Sequence, residues 1–170
     1  FEIFMTSNYK NILPSVSVQL VSDNLRTLSL PDICKGRRGV IDIWHTKCVR
    51  CPAALGLLNE FASACGDEFL FIACALAQRE GDINELAELT QEWDQLHHVY
   101  VTMEKKAELK EYFGYTSVPF YIIFDKDGTV TQYGDSKTVD YANCLLQMKD
   151  QPNVTTTNTI TPSVNIFSLD

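Results

Sequence analysis

Two cysteines separated by two residues, Cys48 and Cys51, are the side chains in this sequence with the clearest capacity for chemistry. They follow a short apolar run and open a segment with helical periodicity. A thiolate at a helix N-terminus sees the positive end of the helix dipole and unpaired backbone N–H groups. That lowers its pKa, and the thiolate is the reactive form. Cysteines one turn apart can close a disulfide with little backbone movement. The first can then attack a substrate disulfide and the second resolve the mixed disulfide. Pro52 suits the first helical turn. Lys47 and Arg50 flank the pair. Near Cys48 their charges would favour the thiolate; otherwise they are solvated surface charges. A metal reading competes, because His45, Cys48 and Cys51 form H-x-x-C-x-x-C, with Cys65 or a distant histidine as a fourth ligand. Structural zinc usually takes two well-spaced pairs. There is no second C-x-x-C, so no metal is expected. His97 and His98 read as ordinary solvated or core histidines.

The elements that must position this pair can be read from periodicity. Residues 16–21 alternate apolar and polar, as a half-buried strand does, and residues 26–30 read as a short second strand after a turn at Asp23-Asn24. Residues 31–39 form a polar, basic loop that carries Cys34. Residues 40–44, Val-Ile-Asp-Ile-Trp, read as a central buried strand. Residues 52–65 are helical, with Leu55, Leu58, Ala62 and Cys65 on one face, and Gly66-Asp67 ends that helix. Residues 69–76 are a second apolar strand. Asp82 and Glu85 have the spacing of a capping box, ahead of a helix with Ile83, Leu86, Thr90, Trp93 and Leu96 on its buried face. A strand over 98–103 and a helix over 106–113 ending at Gly114 follow. Strands over 120–124 and 129–133 flank Asp125-Lys126-Asp127-Gly128, a hairpin signal. Residues 139–148 are the last helix. The order β-β-β-α-β-α-β-α-β-β-α predicts an α/β fold, a mixed sheet covered on both faces. Residues 1–15 read as an N-terminal extension, 16–150 as the domain and 151–170 as a polar tail. Met5 is a candidate native start, which would make residues 1–4 foreign.

The chain has 170 residues, the size of one domain with a sizeable core. Its formal net charge of -8 argues against nucleic acid and anionic membranes as partners. No apolar run approaches the ~20 residues of a transmembrane helix, and residues 1–10 lack the pattern of a signal peptide. Of the six cysteines, only Cys48 and Cys51 sit at a motif spacing. Cys65, Cys74 and Cys144 fall on apolar faces, as small buried hydrophobes do. Cys34 is expected to be open to solvent in its loop. This usage points to a reducing compartment, the cytoplasm.

The stretch Ile41-Asp42-Ile43-Trp44-His45-Thr46-Lys47-Cys48-Val49-Arg50-Cys51 resembles the active-site segment of thioredoxins. The residues before it, with a Ser-Leu-Pro loop and Lys-Gly-Arg-Arg-Gly, resemble the TlpA/ResA and tryparedoxin–nucleoredoxin branch. Thr116-Ser117-Val118-Pro119, followed by a strand and an Asp-Gly hairpin, is similar to that superfamily's cis-proline loop. The resemblance spans 16–148 and implies a thioredoxin fold with an N-terminal β extension. It makes Cys48 the nucleophile and Cys51 the resolving thiol. Asp42 becomes the buried acid that moves protons for the resolving cysteine. A carboxyl on an apolar central strand should indeed have a raised pKa, whereas an aspartate at a strand edge would face solvent. Trp44 matches an aromatic packed near the disulfide, where it would border substrate, though a core tryptophan would look the same in sequence. Pro119 would be cis and face the cysteines, with the Val118 backbone pairing to an extended substrate. Lys47 and Arg50 would border that substrate.

The sequence departs from the pattern at Lys47, where tryptophan is usual, at the Val49-Arg50 dipeptide, at Gly56 where a proline usually kinks the helix, and at Phe120. A peroxidase pattern is absent, since Thr46 stands one residue too close to Cys48. The implied activity is thiol–disulfide exchange on protein disulfides, with no organic cofactor. A reductase or a low-molecular-weight dithiol would recycle it. The rival reading is a redox-inert or redox-sensing adaptor that uses the same groove to hold a partner.

Overall fold

The computed structural model of the chain describes residues 11–23 and 26–149. The candidate start at Met5, the turn residue Asn24 and the tail 151–170 lie outside the described residues. A hairpin of β1 (Ser17–Leu20) and β2 (Thr27–Ser29) comes first, then α1 (Leu30–Cys34) and β3 (Gly39–Trp44). α2 (Cys51–Cys65), β4 (Leu70–Leu76) and α3 (Ile83–Leu89) follow, and α3 tightens into a 3₁₀ turn, Thr90–Trp93. The remainder is β5 (His97–Val101), α4 (Met103–Phe113), β6 (Phe120–Phe124), β7 (Val130–Asp135) and α5 (Tyr141–Lys149).

The strands form one seven-stranded sheet in the order β2-β1-β5-β4-β3-β6-β7. β3 lies parallel to β4, and β4 to β5, while β6 runs antiparallel to β3. All six residues of β3 are buried, as expected for a strand paired on both edges and covered on both faces. Ring contacts show which helix covers which face. Phe61 of α2 packs on Phe71 of β4, and Tyr141 of α5 on Tyr121 of β6. Trp93 of the 3₁₀ turn meets Trp44 of β3 edge to face at 5.7 Å. In register, Asp42 pairs with Ala73 and Tyr121, so these three residues and Trp44 share that face. The opposite face is covered by α4, whose Phe113 touches Phe120 and Tyr133. Gly39 lets β3 approach β4 closely: a Cβ there would sit 1.8 Å from the Leu70 carbonyl oxygen.

Four local expectations are corrected. The stretch read as a loop over 31–39 contains α1, because the Ser29 hydroxyl caps the Asp32 N–H at 3.2 Å and Pro31 fits the first turn. Cys34 is consequently buried, 2% exposed, not open to solvent. The Asp82–Glu85 capping box does not form. The Asp82 carboxylate accepts hydrogen bonds from the Gln78 and Arg79 N–H groups and from the Tyr100 hydroxyl at 2.6 Å. Glu85 pairs with Arg79 instead. These partners in the preceding loop and on β5 take the carboxylate away from its own helix. Finally, α4 starts at Met103, earlier than expected, since the Thr102 hydroxyl accepts from the Lys105 N–H. Gly114 ends that helix in the left-handed region at φ 66°.

Candidate active site

β3 ends at Trp44 in the centre of the sheet, and the chain then turns into α2. The Cys48 N–H donates to the His45 carbonyl at 3.1 Å, and the Cys51 N–H to the Cys48 carbonyl at 3.3 Å. The helix starts at Cys51 with Pro52 in its first turn and no side-chain cap. Cys48 therefore stands in the turn ahead of the helix rather than within it, where the uncapped N–H groups and the dipole act on it. The two sulfurs are joined in a disulfide, with Cα atoms 5.4 Å apart.

The two cysteines differ in access. Cys51 is fully buried, whereas Cys48 is partly exposed. Between them Val49 projects into solvent, 93% exposed. The Val118–Pro119 peptide bond is cis, and the Val118 carbonyl oxygen lies 3.6 Å from the Cys48 sulfur. The loop before β6 thus faces the reachable sulfur.

Asp42 is fully buried, and neither carboxylate oxygen has a hydrogen-bond partner among the described residues. The strand-edge alternative is excluded, because β4 and β6 pair on both sides of it. Burial pushes its pKa well above the usual carboxylate range. It lies on the sheet face that α2 covers, the helix that carries Cys51. Trp44, expected to border substrate, is 2% exposed and packed on Trp93. It supports the layer beneath the site and offers a substrate no surface. Lys47 and Arg50 are both exposed, and neither joins an ion pair among the described residues.

Two cavities flank the disulfide. One, of about 330 Å³, lies between α4 and the cis-proline loop and is lined by His45, Gln78, Lys106, Lys110, Ser117 and Val118 among others. The second, of about 530 Å³, includes Arg50, Leu57, Pro119, Tyr121 and Tyr141 in its lining. Sequence reasoning missed Lys106 and Lys110 here. Their only local signal was a spacing of one helical turn on α4. His45, weighed only as a metal ligand, lines the first cavity. Burial lowers its pKa, and the nearby Lys106 and Lys47 charges lower it further. Among the described residues no three His, Cys, Asp or Glu side chains converge as a metal site would require.

A disulfide ahead of a helix, joined to the central strand and faced by a cis-proline loop, defines the class: this is a thioredoxin-like domain with the thioredoxin fold. Residues 9–143 match the family model named Redoxin, and the chain belongs to that family. Solved structures agree on the fold. A thiol:disulfide interchange protein from Bacteroides sp. superposes with TM-score 0.69 at 18% identity, over 91% of this chain and 99% of that one. The thioredoxin domain of a thiol-disulfide oxidoreductase from Bacteroides vulgatus gives 0.66 at 17%, over 85% and 99%. A thio-disulfide isomerase from Thermus thermophilus gives 0.64 at 17%, over 84% and 94%. No curated protein matches the chain.

Proposed function

We propose that the chain is a thiol–disulfide oxidoreductase that reduces or exchanges disulfides in other proteins. The observation that carries this reading is the unequal access of the two sulfurs, with Cys48 reachable beside the Val118 carbonyl and Cys51 fully buried. In the reduced protein the Cys48 thiolate attacks one sulfur of a substrate disulfide. A Cys48–substrate bond forms, the substrate bond breaks, and the departing sulfur takes a proton from solvent. Asp42, a base only in the fraction of molecules where its buried carboxyl is ionised, accepts the proton of Cys51, and the Cys51 thiolate attacks the Cys48 sulfur. The second substrate sulfur leaves as a thiolate and takes a proton from solvent, two electrons have passed to the substrate, and the Cys48–Cys51 disulfide of this structure results. A dithiol donor, protein or small molecule, restores the reduced form. The proposed setting is the cytoplasm, and the four thiols that remain free outside the pair support it.

The test is insulin reduction with dithiothreitol, followed as turbidity, for wild type, Cys48→Ser and Cys51→Ser. Catalysis that vanishes in Cys48→Ser supports the reading and identifies the nucleophile. A wild-type rate no greater than dithiothreitol alone, with partner capture indifferent to Cys48→Ser, would instead describe an adaptor.

A further inference from the structure

The charge around the disulfide opposes the charge of the molecule. The chain carries 22 Asp and Glu against 14 Lys and Arg, so its average surface repels an acidic partner. Yet no carboxylate lines the cavity between α4 and the cis-proline loop, whereas Lys106 and Lys110 both do. Lys47 and Arg50 extend this cationic arc past Cys48 and Val49. The ion pairs among the described residues use Arg26, Arg79, Lys105 and Lys149, and none of the cations around the disulfide. Lys106 donates to the Ala77 carbonyl at 2.7 Å. That neutral acceptor holds the ammonium at the cavity wall and leaves its charge uncompensated. On α4, Glu108 is paired with Lys105, and neither Glu104, Glu108 nor Glu111 lines the cavity. The cavity on the other flank differs, since Asp140 lines it together with Arg50.

We propose that the α4 flank of the site holds a segment of the substrate protein that carries Asp or Glu beside its target cystine. This rests on the oxidoreductase reading and names the class of protein disulfide it serves. Lys106 and Lys110 stand one helical turn apart, about 6 Å, and Lys47 lies beyond His45. Such a row is longer than one carboxylate and suits side chains spaced along an extended peptide. Val49, exposed next to Cys48, offers such a segment an apolar contact. The row attracts an acidic segment from a distance, so its effect falls mainly on association and weakens with salt.

Three cystine peptides of one design, flanked by Glu, Gln or Lys, provide the test, at low and at high ionic strength. The Glu peptide should exceed the Lys peptide in kcat/KM by about tenfold at low salt, with the ratio approaching one at high salt. Lys110→Glu combined with Lys47→Glu should reverse the ratio, while Lys126→Glu on the distant hairpin should leave it as it is. Labelled analogues with serine in place of both cysteines, read by fluorescence anisotropy, should show the same order of affinity. Equal rates for the Glu and Lys peptides, or a ratio indifferent to Lys110→Glu, would overturn the proposal. Should no peptide be reduced, the oxidoreductase reading fails, and the binding order alone decides the charge preference. Glutathione disulfide is the control for a small anionic occupant. If it displaces the labelled Glu analogue and shows the same Lys110 dependence, the site takes small carboxylates and the peptide is refuted.

Discussion

Replacing Asp42 should make the oxidised protein progressively more stable relative to wild type as pH rises. In the unfolded chain an aspartate loses its proton near pH 3.9, to take the usual value of about 3.9. In the folded chain burial holds the carboxyl protonated to a much higher pH. Between the two values the native state binds one more proton than the unfolded state, so raising the pH favours unfolding. The contribution of Asp42 is therefore most favourable below about pH 4 and is lost as pH rises toward the folded value. One proton corresponds to a slope of about 1.4 kcal/mol per pH unit. Asp42→Ala and Asp42→Asn both abolish that slope. The cavity left by alanine, or the unpaired amide left by asparagine, shifts the variant by a constant and not by a slope. Urea unfolding of the oxidised forms at a series of pH values measures it. The difference between variant and wild type should widen by about 2.7 kcal/mol over two pH units within this window. A difference that stays flat with pH would refute the assignment of a buried, protonated carboxyl.

Two further outcomes follow from the thiols and from Asp82. Burial pushes the Cys34 and Cys74 thiols up to about 12, with Asp42 and Cys34 adding to the effect at Cys74. In the reduced native protein both should resist a thiol-specific reagent at about pH 8, where an ordinary cysteine is substantially reactive. Both should react once denaturant is added, and mass mapping would show whether they do. Asp82→Ala strands the Tyr100 hydroxyl and two backbone N–H groups, which should cost about 2–4 kcal/mol by chemical unfolding. Burial opposes ionisation of Asp82, but these hydrogen bonds outweigh it and hold its pKa below the usual range. The loss should persist at neutral pH and shrink only as acid protonates the folded carboxyl; an unchanged difference in acid would contradict this.

Much of the scaffold was legible because it depends on pattern. The apolar run over 40–44 and the helical period after Cys51 located the strand, the turn and the helix that hold the pair. The Asp-Gly signal located the β6–β7 hairpin. What escaped was decided by contacts distant in sequence or by elements too short to show a period. α1 has five residues, less than two turns, and its burial of Cys34 could not be read from a basic loop. Asp82 had a plausible local partner in Glu85, and Tyr100, eighteen positions on, took its place. Trp44 could be an aromatic at the groove or one in the core, and only the placement of Trp93 decides between them. The cationic arc draws on residues from the β3–α2 turn and from α4, which the sheet order alone brings together.

The burial of Cys51 also bears on fidelity. Once a substrate is tethered to Cys48, the thiol that must release it is already held within the same turn and is screened from the medium. An intramolecular attack of this kind can proceed as if its nucleophile were present at about 10⁵ M or more when well oriented. Bystander thiols in the surrounding medium are far too dilute to compete. In the proposed cycle each encounter therefore ends with both electrons delivered to one target, and a half-reacted adduct has little chance to pass its partner to another protein.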